Sequence, residues 1–300
     1  MNNIDAVTLN FSSGSLVLLN SILAVIMFSI ALDLKLADFR QLIKAPKPLI
    51  TGLVSQFLLL PVLTYLMIIA LQPQASIALG LILVAACPGG NISNFITHRA
   101  GGNIALSVSM TAFATVAAIF LTPLNIAFWG NLYGPTQAIL RQTSIDPVSV
   151  AITVVFMLIF PLCLGIVLNF KRPDIAARIR KPLQWLSLGI FVAFIILALA
   201  ANWAYFLDFA GLVAVYVVIH NGIALAGGFS IATLVGLSQY DRRSITIETG
   251  IQNSGLGLVL IFGFFNGLGG MAVAAAFWGI WHAISGILLA RMMARTEAKR

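Results

Sequence analysis

Glu248 lies inside an apolar stretch, 243–266, where it opens the run Glu248-Thr249-Gly250-Ile251-Gln252-Asn253-Ser254-Gly255. A carboxylate buried in such a stretch is costly and by default marks a functional site. An ion pair with Arg242 or Arg243, a turn or so away, is the plain structural alternative. Thr249, Gln252, Asn253 and Ser254 add far more polarity than that pair would require. A second polar run, Cys87-Pro88-Gly89-Gly90-Asn91-Ile92-Ser93-Asn94, interrupts an earlier apolar stretch, and Thr97 follows it. Proline removes a helix hydrogen bond, and paired glycines allow backbone angles that other residues avoid. The bland reading is a kink, which membrane helices tolerate. Polar side chains beside freed backbone groups at membrane depth instead need a cavity, a partner or an ion. Neutral oxygens and one carboxylate suit a weakly held monovalent cation, by the logic that gives hard cations oxygen ligands. Half-helix N-termini present free N–H groups to an anion. A cation and an anion at one crossing read as symport.

The elements that must position these residues follow from composition. The chain has 300 residues, 60% of them hydrophobic and only 9% charged. Its mean hydropathy is +1.02. Soluble domains carry roughly a quarter charged residues, so this is a polytopic membrane protein and not a nucleic-acid-binding, disordered or disulfide-stapled one. Apolar runs predict spans at 15–32, 48–70, 77–98, 104–128, 147–169, 183–203, 209–236, 243–266 and 270–290. No alternating barrel pattern appears, so the fold class is an all-α polytopic membrane protein of about nine transmembrane helices. Lys35, Arg40, Lys44, Lys47, Arg99, Lys171, Arg172, Arg178, Arg180, Lys181, Arg242, Arg243, Arg291, Arg295, Lys299 and Arg300 fall on one side of these spans. Arg141 alone falls on the other. The positive-inside rule then places the N-terminus outside and the C-terminus in the cytoplasm. The net charge of +8 needs no nucleic acid to explain it. No cationic n-region or cleavage site opens the chain, which favours a multi-pass protein of a bacterial inner membrane or comparable plasma membrane.

The two interrupted stretches are the third and eighth spans, so they run in opposite directions through the bilayer. Aligning them pairs spans one to four with spans six to nine and leaves span five alone. That predicts an inverted-topology repeat with two broken, crossing helices. The first repeat, about 15–128, lacks its first helix, and the second covers about 147–290, within a single membrane domain over 1–300.

The two polar runs, with Trp281-His282-Ala283-Ile284-Ser285-Gly286 in the last span, resemble the crossover motifs of the bile acid:sodium symporter family. The resemblance covers about residues 15–290. It implies a core domain of crossed helices moving against a panel domain, and sodium-coupled import of an organic anion such as a bile-acid-like steroid or small carboxylate. It implies one sodium site on Ser93, Asn94, Ser107, Thr111 and Glu248; Ser107 and Thr111, four apart, share a helix face. A second site would use Gln56, Glu248 and Gln252 with the backbone oxygens of Thr249 and Ile251. Substrate would meet Asn91 and Ile92, through backbone N–H groups, with Asn253 and His282 nearby.

Cys87 reads as a packed thiol, Cys163 lies in another apolar segment, and His220-Asn221 in span seven reads as a polar helix–helix contact. No nucleophile–base pair, metal-ligand spacing or phosphate loop appears, so no enzyme is expected. The expected ligands are sodium ions, an organic anion and the lipid bilayer, with no cofactor, nucleic acid or obligate protein partner. A proton-coupled anion carrier, in which Glu248 titrates, is the nearest rival; a solute sensor or channel is the rival from another class.

Overall fold

A computed structural model describes residues 4–9, 12–32, 46–90, 92–143 and 146–297. Its helices are α1 (Ser13–Ala31), α2 (Lys47–Leu71), α3 (Ala75–Ala86), α4 (Ser93–Arg99), α5 (Ile104–Leu132), α6 (Gly134–Thr143), α7 (Pro147–Lys171), α8 (Pro173–Ala201), α9 (Trp203–Leu234), α10 (Gln239–Gly250), α11 (Ser254–Phe264) and α12 (Gly269–Glu297). No strand occurs among the described residues; two isolated bridges, Thr8 with Leu268 and Gly89 with Gln252, are all the extended pairing there is.

Among the described residues six helices are long and apolar enough to cross a membrane: α1, α2, α5, α7, α9 and α12. The expected third and eighth spans are each two half-helices, α3 with α4 and α10 with α11. The expected sixth span, 183–203, falls on the continuous helix α8 as far as its end at Ala201.

Local chemistry explains where the helices start, widen and stop. Asn103, Asp146, Ser238 and Asn253 each accept backbone N–H groups at the start of α5, α7, α10 and α11, satisfying donors that have no partner inside a helix. Asp146 takes the Val148 and Ser149 N–H groups and the Ser149 hydroxyl. These bonds, the Ser149 hydroxyl first, hold its carboxyl below the usual carboxylate value. One π-turn, Ser55–Leu59, widens α2 just before Pro61, and another, Val155–Ile159, widens α7 just before Pro161. A proline ring clashes with the carbonyl four residues back, and a wider turn relieves that clash. The first of these turns aims Ser55 and Gln56 at the interior. α3 ends because Pro88 forces the preceding residue to be extended: Cys87 has φ −73° and ψ 156°.

Two groups of helices result. α1 packs with α7 and α8; α2, α5, α9 and α12 surround the half-helices, and α5 on α7 and α1 on α11 join the groups. α3 is buried from Ser76 to Ala86. A helix apolar all round belongs in a core, and α3 can enter one because Gly80 lets α12 come close. A Cβ on Gly80 would sit 2.8 Å from the Met271 Cα. The broken helices therefore occupy the middle of the larger group.

Candidate functional site

The first half-helix of each broken pair stops where the other does, and the two stops bind each other. Gly89 bridges to Gln252, Gly90 N–H donates to the Ile251 carbonyl (2.7 Å) and Asn253 N–H donates to the Pro88 carbonyl (2.9 Å). Backbone groups freed by the breaks thus satisfy one another across the crossing, as groups cut off from water must. Glycine is required here for space. A Cβ on Gly89 would lie 2.7 Å from Glu248 Oε2, and one on Gly90 would lie 2.6 Å from the Gln252 backbone oxygen.

Glu248, 1% exposed, faces three hydroxyls from two other elements. Ser93 of α4 donates to its Oε1 at 2.5 Å, Ser107 of α5 donates to the same oxygen, and Thr111 donates to Oε2 at 3.1 Å. Ser107 Oγ also lies 2.8 Å from Asn94 Oδ1 and 3.2 Å from Thr97 Oγ1. The single Ser107 proton cannot serve all three acceptors, so oxygen lone pairs outnumber the protons that could fill them. The expected set Ser93, Asn94, Ser107, Thr111 and Glu248 is brought together. Thr97, fully buried, joins it.

Among the described residues no basic group pairs with Glu248. Arg243 instead donates to the carbonyls of Ala100, Gly101 and Met293, tying together the ends of α4, α10 and α12. Arg242 turns to the Leu237 carbonyl. The ion-pair alternative for Glu248 is therefore wrong, because the C-terminal carbonyls of α4 offer the guanidinium a nearer home. Among the described residues the one salt bridge is Arg172 with Asp174, far along the chain.

A second oxygen cluster gathers around Gln56 and Gln252. Gln56 Nε2 donates to Gln252 Oε1 (2.6 Å) and to the Cys87 carbonyl (3.0 Å). Gln252 Nε2 donates to the Thr249 carbonyl (2.7 Å), and Ser55 and Thr249 share a hydroxyl contact of 2.8 Å. Gln56 Oε1 is buried with no hydrogen-bond partner, an open acceptor where the second ion was expected. The Thr249 and Ile251 carbonyls are each engaged once, which leaves each a lone pair.

Of the expected substrate residues, Asn91 lies outside the described residues. Ile92 is the half-buried N-cap of α4. Asn253, 6% exposed, caps α11 by accepting the Leu256 N–H. His282 lies on α12 between Gly279, whose Cβ would meet Ser254, and Gly286, whose Cβ would meet Ile96 and Ile251. Residues at that spacing share a helix face, so His282 faces the crossing; its Nδ1 is buried without a partner.

His220 and Asn221 are helix–helix contacts, as expected. His220 Nε2 meets Thr64 Oγ1 at 2.6 Å, and its ring lies against Trp278. Asn221 Nδ2 donates to the Gly250 carbonyl, and its Oδ1 accepts from Ser285. Sequence reasoning missed Ser55 and quoted Ser285 only inside the last-span motif, with no role of its own; a single serine in an apolar helix carries no pattern to assign it by. Among the described residues no group of His, Cys, Asp or Glu could hold a transition metal.

Comparison with known proteins adds the lineage. The sequence model of the Sodium Bile acid symporter family matches residues 21–209. An uncharacterized sodium-dependent transporter of Bacillus subtilis is 33% identical over 279 residues, 93% of this chain and 83% of its own. A probable chloroplastic sodium/metabolite cotransporter of Oryza sativa is 31% identical over 88% of this chain and 63% of its own. A mouse sodium-dependent organic anion transporter is 29% identical over 88% of this chain and 69% of its own.

Proposed function

The chain belongs to the sodium bile acid symporter family, and on that premise we propose that it imports an organic anion together with sodium by alternating access. It is a transporter and not an enzyme. The observation that carries the proposal is Glu248. A buried carboxylate that meets hydroxyls and no basic side chain among the described residues leaves a charge uncompensated, and removing the partner of a buried charge typically costs several kcal/mol (roughly 3–5). A sodium ion among Ser93, Asn94, Ser107, Thr111 and Glu248 would supply the missing charge. A second ion would use Gln56, Gln252, Glu248 and the Thr249 and Ile251 carbonyls. Two cations against one carboxylate leave a net positive locus, and an anion bound beside it, at Ile92, Asn91, Asn253 and His282, offsets that excess. Co-binding of ion and anion follows from this charge balance.

The reading takes the crossing as the centre of an inverted repeat with nine spans, in which α1, α7 and α8 form the panel and the remaining helices the core. The N-terminus lies outside a bacterial inner membrane. The substrate class is an organic anion, a bile-acid-like steroid or a small carboxylate.

A thermal-shift panel of organic anions, with sodium or potassium, identifies the ligand by the stabilisation that binding confers. Uptake of that ligand into proteoliposomes then tests the coupling. A sodium gradient at equal pH should drive it, and a pH gradient without sodium should not; the reverse result overturns sodium in favour of protons. Glu248→Gln keeps the shape and removes the charge, so it should fold and lose the sodium-dependent stabilisation.

A further inference from the structure

Each broken pair is held by a side-chain amide from the long helix that precedes it. In the first, Gln56 of α2 donates to the Cys87 carbonyl, where α3 stops (3.0 Å). In the second, Asn221 of α9 donates to the Gly250 carbonyl, where α10 stops (2.7 Å). A helix that ends inside a membrane leaves its last carbonyls without partners, and each such group is expensive unless something else donates to it. The amides do that work at matching places. Gln56 is also one of the expected ion ligands. Asn221 has no such assignment, yet it is 1% exposed and fully engaged.

We infer that Asn221 is a positioning residue for the second sodium site, an inference that rests on the sodium reading above. Gly250 sits between Thr249 and Ile251, the two residues whose backbone oxygens would face that ion. The Thr249 carbonyl is already held by Gln252 and the Ile251 carbonyl by Gly90. The Gly250 carbonyl lies between these two, and Asn221 fixes it to α9. The amide itself cannot turn, because Ser285 of α12 donates to its oxygen at 2.6 Å. One side chain therefore locks α9, α10 and α12 together at the residue between the two ion-facing carbonyls. The close fit of α9 against α10 supports this: Gly228 lies where a Cβ would be 2.9 Å from Thr249 Oγ1. Without the clamp, the Gly250 peptide would be held only through its neighbours, and the Thr249 and Ile251 oxygens on either side would each rest on a single hydrogen bond.

The test measures sodium binding on detergent-purified full-length protein. Radioactive sodium binding and the sodium-dependent rise in melting temperature, each against potassium, give a half-saturating concentration. Asn221→Leu, which has similar bulk and no donor, should raise that concentration about tenfold, the loss expected for one buried hydrogen bond of full value. Ser285→Ala leaves Asn221 in place but untethered, and should raise it about threefold; it serves if Asn221→Leu does not fold. Thr64→Val removes the neighbouring buried contact to His220 (2.6 Å). It should lower the melting temperature in potassium without moving the half-saturating concentration. Variants of Asn221 and Ser285 that, like Thr64→Val, lose stability but bind sodium as the parent does overturn the inference and leave the sodium reading intact. A parent protein indifferent to sodium overturns both.

Discussion

Gly90 shows at the scale of one residue how little room the crossing has. The atom nearest a Cβ there is the Gln252 backbone oxygen, with the carbonyl carbon at 3.0 Å. A flexible side chain could move aside; this backbone is itself pinned by the Gly90–Ile251 hydrogen bond and cannot. Gly90→Val should therefore abolish sodium-dependent stabilisation, and Gly90→Ala should weaken it severely. Gly189→Ala, where nothing lies within 4 Å, should leave it unchanged. If Gly90→Val responds to sodium like the parent, the glycine break is a kink and no more. Ser107 gives a second expectation at this scale. It is the hydroxyl nearest both Glu248 and Asn94, so Ser107→Ala should raise the half-saturating sodium concentration more than Thr97→Ala does. Binding isotherms of the two variants side by side decide it.

Element by element, the helices depend on close approach in the core and on capping at the ends. Gly80→Val would drive a side chain into the backbone of Met271 and push α3 from α12. Overpacking of this kind typically costs about 1–3 kcal/mol, so a clear drop in melting temperature relative to Gly189→Val is expected. At the start of α7, the Asp146 carboxylate accepts two N–H groups and a hydroxyl. Its value is lower in the folded state than unfolded, so its contribution is present above the ordinary carboxylate range and disappears as pH falls through the folded value. Asp146→Ala should lower the melting temperature at pH 7 and narrow the difference from the parent as the pH is taken down through that range. A constant difference across the titration would mean that the cap's charge contributes nothing.

The molecule as a whole places its two ends relative to the bilayer. Sixteen basic residues lie on the side assigned to the cytoplasm and Arg141 on the other, and nine crossings would put the N-terminus and C-terminus on opposite faces. Single cysteines at positions 5 and 297, in a background with Cys87 and Cys163 replaced, should be labelled by an impermeant reagent from opposite sides of oriented membrane vesicles. Labelling from the same side would break the nine-span reading and the repeat that depends on it.

Composition, apolar run length and the positions of proline and glycine act locally, and for that reason the helical class, the breaks at Pro88 and Gly250, and Glu248 as an acidic residue inside an apolar run were legible before any packing. The family resemblance, drawn from the same short motifs, supplied the partners Ser93, Ser107 and Thr111. What turns those residues toward one carboxylate is a tertiary matter: Ser93 and Ser107 lie 155 and 141 residues from Glu248 in the chain. Arg243 illustrates the limit. Five residues from Glu248, it stayed open with Arg242 as an alternative ion-pair partner on spacing, and only the packed ends of α4 and α12 turn it away to three backbone carbonyls. Asn221 and Ser285 were equally illegible as a pair. A lone amide and a lone hydroxyl have no periodicity, and the carbonyl they secure exists as a free group only once α9, α10 and α12 have met.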